Sequence, residues 1–74
     1  MINDLTPTER GALEYVRKHP DCTGIDLAGH AEISEYDALV ILHRLATLFW
    51  LTATTQSGEH TKFNLSNKAK GELS

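Results

Sequence analysis

The stretch from Asp26 to Leu51, DLAGHAEISEYDALVILHRLATLFWL, decides the fold of this chain. Apolar residues in its second half recur at i, i+3, i+4, i+7 and i+10, which predicts an amphipathic helix over residues 35–48. These apolar residues are Ala38, Ile41, Leu42, Leu45 and Leu48. A shorter helix is predicted over residues 26–31, and Glu32-Ile33-Ser34 is the predicted turn, with Ser34 as the cap of the longer helix. The pattern is helix, tight turn, helix.

Another helix is predicted upstream of these two, over residues 6–18. Thr6-Pro7-Thr8-Glu9 has the spacing of a capping box with proline in the first helical turn, and Pro20 prevents the helix from continuing. The connection to the next helix leaves two possibilities open. Either Thr23 or Asp26 caps that helix, and Thr23-Gly24-Ile25 could form a very short strand.

The hydrophobic period changes to two after Leu51. A threonine-rich alternation followed by a turn at Gln56-Ser57-Gly58-Glu59 predicts an antiparallel hairpin over residues 51–65. A short helix is predicted over residues 67–73. The sequence therefore predicts a single domain over residues 1–74, mainly α-helical, with one small β-hairpin.

Composition excludes several classes of function. The chain has 74 residues, 41% of them hydrophobic, and one cysteine, so one small core and no internal disulfide are expected. No signal peptide or membrane-spanning run is recognisable, and we expect a soluble, cytoplasmic protein. No catalytic arrangement, phosphate-binding loop or metal-ligand spacing stands out. We therefore expect no enzymatic activity, catalytic residue, metal, cofactor, small-molecule substrate or membrane partner.

The charge is divided unevenly between the two halves. Residues 1–37 contain eight acidic and three basic residues, whereas residues 38–74 contain two acidic and four basic ones. Between Asp21 and Asp37 there are five acids and no lysine or arginine. Proteins that bind nucleic acid usually present a basic face, so in this chain such a face must come from the C-terminal half.

The pattern Leu27-Ala28-x-x-Ala31-x-Ile33-Ser34-x-x-x-Ala38-x-x-x-Leu42-x-x-Leu45 resembles the helix-turn-helix of bacterial winged-helix regulators. The tail Phe63-x-Leu65-Ser66-x-Lys68 is similar to the end of the wing in the multiple-antibiotic-resistance class. The length and Ser34-Glu35-Tyr36-Asp37-Ala38 look most like the small single-domain regulators of fimbrial phase variation. The resemblance implies a three-helix core, a β-wing and a short last helix. It also implies control of transcription, alone or with a second DNA-binding protein.

A DNA-binding regulator of this kind would use the third helix and the wing on double-stranded DNA. The candidate DNA-binding residues are Tyr36, Val40, His43, Arg44, His60, Lys62 and Lys68. Because so few of them are basic, we expect modest affinity for a single copy and predict a homodimer or a second protein bound beside it.

The alternative is a winged-helix domain that binds another protein. In the regulators that the sequence resembles, the outer side of the third helix usually carries small polar or basic residues, whereas this chain has acidic and apolar ones. The candidate interface residues are Tyr36, Leu39, Val40, Phe49 and Trp50. Phe49 and Trp50 could equally belong to the core. Phe49 also replaces the glycine that often closes such a helix, so the helix is expected to end differently or to run on.

Overall fold

The computed structural model describes residues 4–73, which form four helices and one two-stranded hairpin. In chain order these are α1 (Pro7–Lys18), α2 (Gly24–Ala31), α3 (Glu35–Thr47), β1 (Leu51–Thr54), β2 (Lys62–Leu65) and α4 (Asn67–Leu73). The predicted fold class, mainly α with a small antiparallel hairpin, is confirmed. The single-domain prediction included residues 1–3 and 74, which lie outside the described residues.

The first two helices both begin with a capping box. Thr6 lies outside α1 as its cap, accepts from the Glu9 amide, and donates its own amide to the Glu9 side chain. Thr23 makes the equivalent reciprocal pair with Asp26. The predicted range 26–31 was therefore two residues too short, because Asp26 is the third residue of the helix and not its cap.

The loop before α2 contacts the hairpin at one point. Cys22, and not the predicted short strand at residues 23–25, forms a bridge with Phe63, whose amide donates to the Cys22 carbonyl at 2.8 Å. The Asp21 amide donates to the Asn64 side chain, whose Nδ2 donates back to the Asp21 carboxylate, both at 2.8 Å. The strand prediction was wrong because Thr23 is already used as a helix cap.

The hairpin packs its first residues into the core and extends its tip away from it. Leu51 pairs with Leu65 and Thr54 with Lys62. Residues 52–60 are all exposed. The core lies between the helices and the base of the hairpin, and its largest fully buried side chains are Trp50, Phe63, Leu13, Leu42, Leu45 and Val16.

Candidate nucleic-acid interface

Helix α3 presents a buried face and an exposed face. Ala38, Leu42 and Leu45 are completely inaccessible to solvent. On the opposite side, Tyr36 is 75% and Val40 50% exposed, and His43 and Thr47 continue the exposed stripe. Tyr36, Val40, His43 and Thr47 define the outer stripe of α3, the face that the sequence predicted to lie opposite the core.

The turn before α3 sets the orientation of the outer stripe. Glu32 adopts a left-handed conformation with φ of 58°, which ends α2, and the Ile33 amide donates to the Ala28 carbonyl at 3.1 Å. Ile33 is half-buried against the core. Ser34 then caps α3 by accepting from the Asp37 amide at 3.0 Å. The predicted turn and cap are both present, and they leave Glu35 and Asp37 exposed in the first turn of α3.

The end of α3 differs from the prediction. The Phe49 amide donates to Ala46 and the Trp50 amide to Leu45, which is the hydrogen-bond pattern of a Schellman cap. Phe49 takes the left-handed position with φ of 67° that glycine usually occupies. The helix therefore ends at Thr47, one residue before the predicted end. A common type of cap closes it, in which phenylalanine takes the place of the usual glycine.

Phe49 lies on the surface, and Trp50 lies in the core. The Phe49 side chain is 74% exposed, whereas Trp50 is only 2% exposed. Trp50 is therefore not part of an exposed interface, and its assignment to the candidate protein surface was wrong. Because Trp50 follows the left-handed residue, the reversal of the chain carries its ring back onto the core.

Leu39 and Leu48 also lie elsewhere than predicted. Leu39 is half-buried and packs against Gly24, where an added Cβ would come within 2.6 Å of the Leu39 side chain. It therefore serves the contact between α2 and α3 more than the outer surface. Leu48 was predicted to be inside, but it is 38% exposed because it caps the helix instead of continuing its buried stripe.

Arg44 is held by an acidic residue of α1. Its Nε donates to Glu9 Oε2, and Glu9 is buried while the Arg44 side chain is 63% exposed. The amide of Thr6 lowers the pKa of Glu9, burial opposes that effect, and Arg44 lowers the pKa further. The Glu9 carboxylate therefore already neutralises part of the charge that Arg44 could offer to a phosphate group.

The wing carries two of the candidate basic contacts. His60 is exposed, and the Lys62 side chain is 44% exposed with its Nζ 3.9 Å from a Glu59 carboxylate oxygen. The Thr55 and Thr61 hydroxyls lie 2.6 Å apart and hold the hairpin together below its tip. Lys62 is therefore accessible from solvent and only loosely neutralised.

Lys68, on α4, contacts the end of α3. Its Nζ is 4.4 Å from the centroid of the Trp50 ring and 3.3 Å from the Leu48 carbonyl oxygen. The Ser66 hydroxyl donates to the Phe49 carbonyl and accepts from the Ala69 amide, which starts α4. Lys68 thus stabilises the end of α3, a structural task that the sequence did not indicate.

No cluster of metal-ligating side chains occurs within residues 4–73. None of the helices described is long and apolar enough to cross a membrane. An apolar groove of about 370 Å³ does lie between the first three helices, where Gly11, Leu27, His30 and Ile41 are among its lining residues.

The charge around the outer stripe is acidic on one side. Glu32, Glu35 and Asp37 are exposed in the turn before α3 and in its first turn, and Asp26 is exposed in the first turn of α2. Arg44, on α3, and Lys62, on the wing, are exposed cations of the C-terminal half, from which the sequence predicted that any basic face must come. Phosphate would be repelled by the first group and attracted by the second.

Comparison with solved structures identifies the fold. The structure is similar to FabT of Streptococcus pneumoniae, which was solved in complex with DNA, with a TM-score of 0.84 and 14% sequence identity. That match covers 93% of this chain and 50% of FabT. A probable transcriptional regulator from Pseudomonas aeruginosa gives a TM-score of 0.84 at 22% identity, covering 96% of this chain and 55% of the other.

A third similar structure is the adhesin competence repressor of Streptococcus pyogenes. Its TM-score is 0.77 at 26% identity, and the match covers 90% of this chain and 51% of the repressor. The chain spans about half the length of these proteins. No protein-family model matches the sequence, and no curated protein matches it closely enough to count as a relative.

These similarities confirm the predicted resemblance to winged-helix transcriptional regulators. The fold is a winged helix, in which α2 and α3 form the helix-turn-helix and β1–β2 the wing.

Proposed function

We propose that this chain is a DNA-binding transcriptional regulator of the cytoplasm that places α3 in the major groove and the wing along the flanking backbone. The observation that carries the proposal is the exposed outer stripe of α3, with Tyr36 and Val40 at its centre, on a winged-helix fold. A helix with one free face at this position has the dimensions that the major groove admits. The similarity of the fold to FabT, which was solved in complex with DNA, supports DNA as the partner.

The residues of the outer stripe suit few base contacts. Val40 can contact a thymine methyl group, and the Tyr36 hydroxyl and the His43 ring can reach a phosphate or a base edge. No side chain of this stripe can form the bidentate pair that reads guanine through an arginine. We therefore expect α3 to position the domain in the groove and to contribute little to discrimination between DNA sequences.

The basic contacts of the proposed complex come mostly from outside α3. Lys62 and His60 lie on the exposed wing, from which they can reach phosphates or a minor groove. Arg44 is partly neutralised by Glu9, and Lys68 is held over the Trp50 ring. Since few phosphates are neutralised, we infer that tight binding needs a second copy on an adjacent half-site or another DNA-binding protein.

Retardation of mixed duplex fragments at low salt tests the proposal. Lys62→Ala should weaken binding several-fold and reduce the dependence of log K on log salt by about 0.9, the change for one lost phosphate contact. Lys18→Ala, which removes the same charge from the end of α1, is the matched control and should bind as the wild type does. A wild-type protein that retards no fragment at low salt contradicts the proposal.

The second candidate function is binding of another protein through the same face. The observation in its favour is the combination of exposed Tyr36, Val40 and Phe49 with the acidic residues at the start of α3. Apolar surface of this kind marks interfaces, and the acids suit a partner with a basic rim. Val40→Asp should then abolish a specific complex while the fold survives. A complex that persists in a Tyr36→Ala, Val40→Asp double variant rules this function out.

A further inference from the structure

One flank of α3 carries an acid and a base at a spacing that makes the helix complementary to itself. Asp37 and Arg44 are seven residues apart, so they lie within about 20° of each other around the helix and about 10 Å apart along it. Both are exposed, and Val40 lies between them along the axis, 50% exposed on the adjoining stripe. The order along this side of the helix is acid, apolar residue, base.

We propose that a second copy of this chain docks on the outer stripe of α3, with the two α3 helices antiparallel about a two-fold axis. The two-fold axis would pass close to Val40, midway between Asp37 and Arg44. It would bring Asp37 of each copy opposite Arg44 of the other, on the same side of the interface. Val40 of one copy would meet Val40 of the other at the centre. This is an isologous contact, in which one patch recognises itself.

Arg44 is already oriented for this contact. Its bond to the buried carboxylate of Glu9 uses Nε and fixes the side chain on the α3 flank. A guanidinium group has five N–H donors in a planar fork, and 63% of the Arg44 side chain is exposed. Arg44 can therefore donate to a second carboxylate, on another copy, while it keeps its bond to Glu9.

Charge favours the antiparallel arrangement over a parallel one. The acids of α3, Glu35 and Asp37, are both in its first turn, and Arg44 lies in its last turn. Parallel helices would bring like charges together, whereas antiparallel helices bring each acidic end to a basic end. Lys68 adds positive charge at that basic end, because its Nζ lies 3.3 Å from the Leu48 carbonyl oxygen.

The association should be weak and reversible. A helix of 13 residues is about 20 Å long, and a contact along one such helix buries less than the roughly 1,600 Å² of a standard stable interface. The dimer should therefore form at high protein concentration and weaken as salt screens the exposed charges. Because it covers the outer stripe, it should also exclude DNA from α3. The pairing itself does not depend on the proposed function.

Sedimentation velocity over a range of protein concentrations tests the charge contact. Asp37→Lys places a lysine opposite Arg44 of the second copy and should raise the dissociation constant about tenfold or more. Glu72→Lys is the matched control, because it makes the same charge change at an exposed site on α4. It should leave the dissociation constant within about twofold of the wild-type value, a change typical of a charge outside the contact. Equal effects of the two substitutions, or a wild type that stays monomeric at millimolar concentration, overturn the proposal.

Cross-linking tests the position of the two-fold axis. A Val40→Cys variant places its thiols next to each other in the dimer, within reach of a disulfide on mild oxidation with diamide. Gln56→Cys, on the exposed wing, is the control. Native Cys22 should not interfere, because it is buried and burial raises its pKa to about 11. Val40→Cys should form covalent dimers several-fold faster than Gln56→Cys, and equal rates overturn the proposal.

Addition of duplex DNA separates this inference from the proposed function. DNA that is bound through α3 should slow the cross-linking of Val40→Cys. If DNA binds but the cross-linking rate is unchanged, the pairing does not occupy the DNA-binding face and this part of the inference fails. If no DNA binds, the proposed function fails, and the comparison of Val40→Cys with Gln56→Cys still decides whether the copies pair.

Discussion

The inner and outer faces of α3 share one backbone of 13 residues but differ in what determines their side chains. The inner residues Ala38, Leu42 and Leu45 have no exposed surface, so packing fixes their size and shape. The outer residues Tyr36 and Val40 contact mostly solvent, so the fold places little restriction on them. Apolar side chains on the outer face are thus not explained by the stability of the domain.

The acids near the start of α3 need a different explanation from these apolar residues. Glu35 and Asp37 lie in the first turn, where negative charge is favoured by the helix dipole. That effect accounts for acids at this place in many helices and does not by itself indicate a partner. Tyr36 and Val40 gain nothing from the dipole, so neither core packing nor the helix dipole accounts for these two exposed residues.

Truncation of the inner face should have the largest effect on stability. Leu42→Ala removes a fully buried side chain and should lower the free energy of unfolding by about 2–5 kcal/mol. Val40→Ala, two residues away on the outer face, should change it by less than about 0.5 kcal/mol. Urea unfolding followed by the fluorescence of Trp50, the chain's one tryptophan and a buried one, measures both. Similar losses for the two variants would contradict the division of α3 into two faces.

The end of α3 should show a smaller change in the opposite direction. Phe49 occupies a left-handed conformation that costs a residue with a Cβ atom about 1 kcal/mol, so Phe49→Gly should raise the free energy of unfolding by up to that amount. Phe49→Ala is the control, because it removes the exposed ring but keeps the strained conformation. If alanine stabilises as much as glycine, the exposed ring and not the backbone is responsible.

A stabilising glycine at position 49 would also bear on function. A residue that is both strained and exposed is retained at a cost to the domain, and such positions are concentrated at functional sites. Phe49→Gly should then weaken the binding of any partner that contacts the end of α3. If Phe49→Gly binds DNA and pairs with a second copy as tightly as the wild type does, Phe49 contributes to neither interaction.

Most of the fold follows from short-range patterns in the sequence. The apolar spacing of α3, the capping residues Thr6 and Ser34, and the alternation after Leu51 each determine one element through local chemistry. The start of α2 was placed too late because Thr23 has both strand propensity and capping ability. Only the reciprocal bond with Asp26 decides between these two uses.

The candidate site was harder to predict from the sequence than the fold was. Whether each of its residues is exposed or buried depends on contacts made in the folded structure. Arg44 was predicted to face outward, and it does, but Glu9 is 35 positions away in the chain and the pair is visible only in three dimensions. Trp50 was placed on the candidate interface as a large apolar residue outside the main apolar stripe of α3, whereas the left-handed turn at Phe49 directs it inward. A turn of one residue thus decides whether an aromatic ring belongs to the core or the surface.

The ion pair of Glu9 and Arg44 joins the core to the outer flank of α3, and acid should weaken it. The pKa of Glu9 in the folded protein lies below the 4.5 of an unperturbed glutamate, chiefly because Glu9 accepts a bond from the Thr6 amide, with Arg44 adding a smaller contribution. The folded state therefore binds the Glu9 proton more weakly than the unfolded state does. The stabilisation is complete above pH 4.5 and is lost as the pH falls through the folded pKa.

Two substitutions should divide this pH dependence between its causes. Glu9→Gln keeps an oxygen that can accept from Thr6 but has no charge to titrate, so the Glu9 contribution to acid destabilisation should disappear. Arg44→Ala keeps the Thr6 bond and should remove only a minor part, with a loss near neutral pH of about 1 kcal/mol or less, as expected for a partly exposed ion pair. Urea midpoints measured from neutral pH to pH 3 compare the two. If Arg44→Ala flattens the profile as fully as Glu9→Gln, the charge on the outer flank, and not the helix cap, governs Glu9, and the two faces of α3 are coupled more strongly than their contacts indicate.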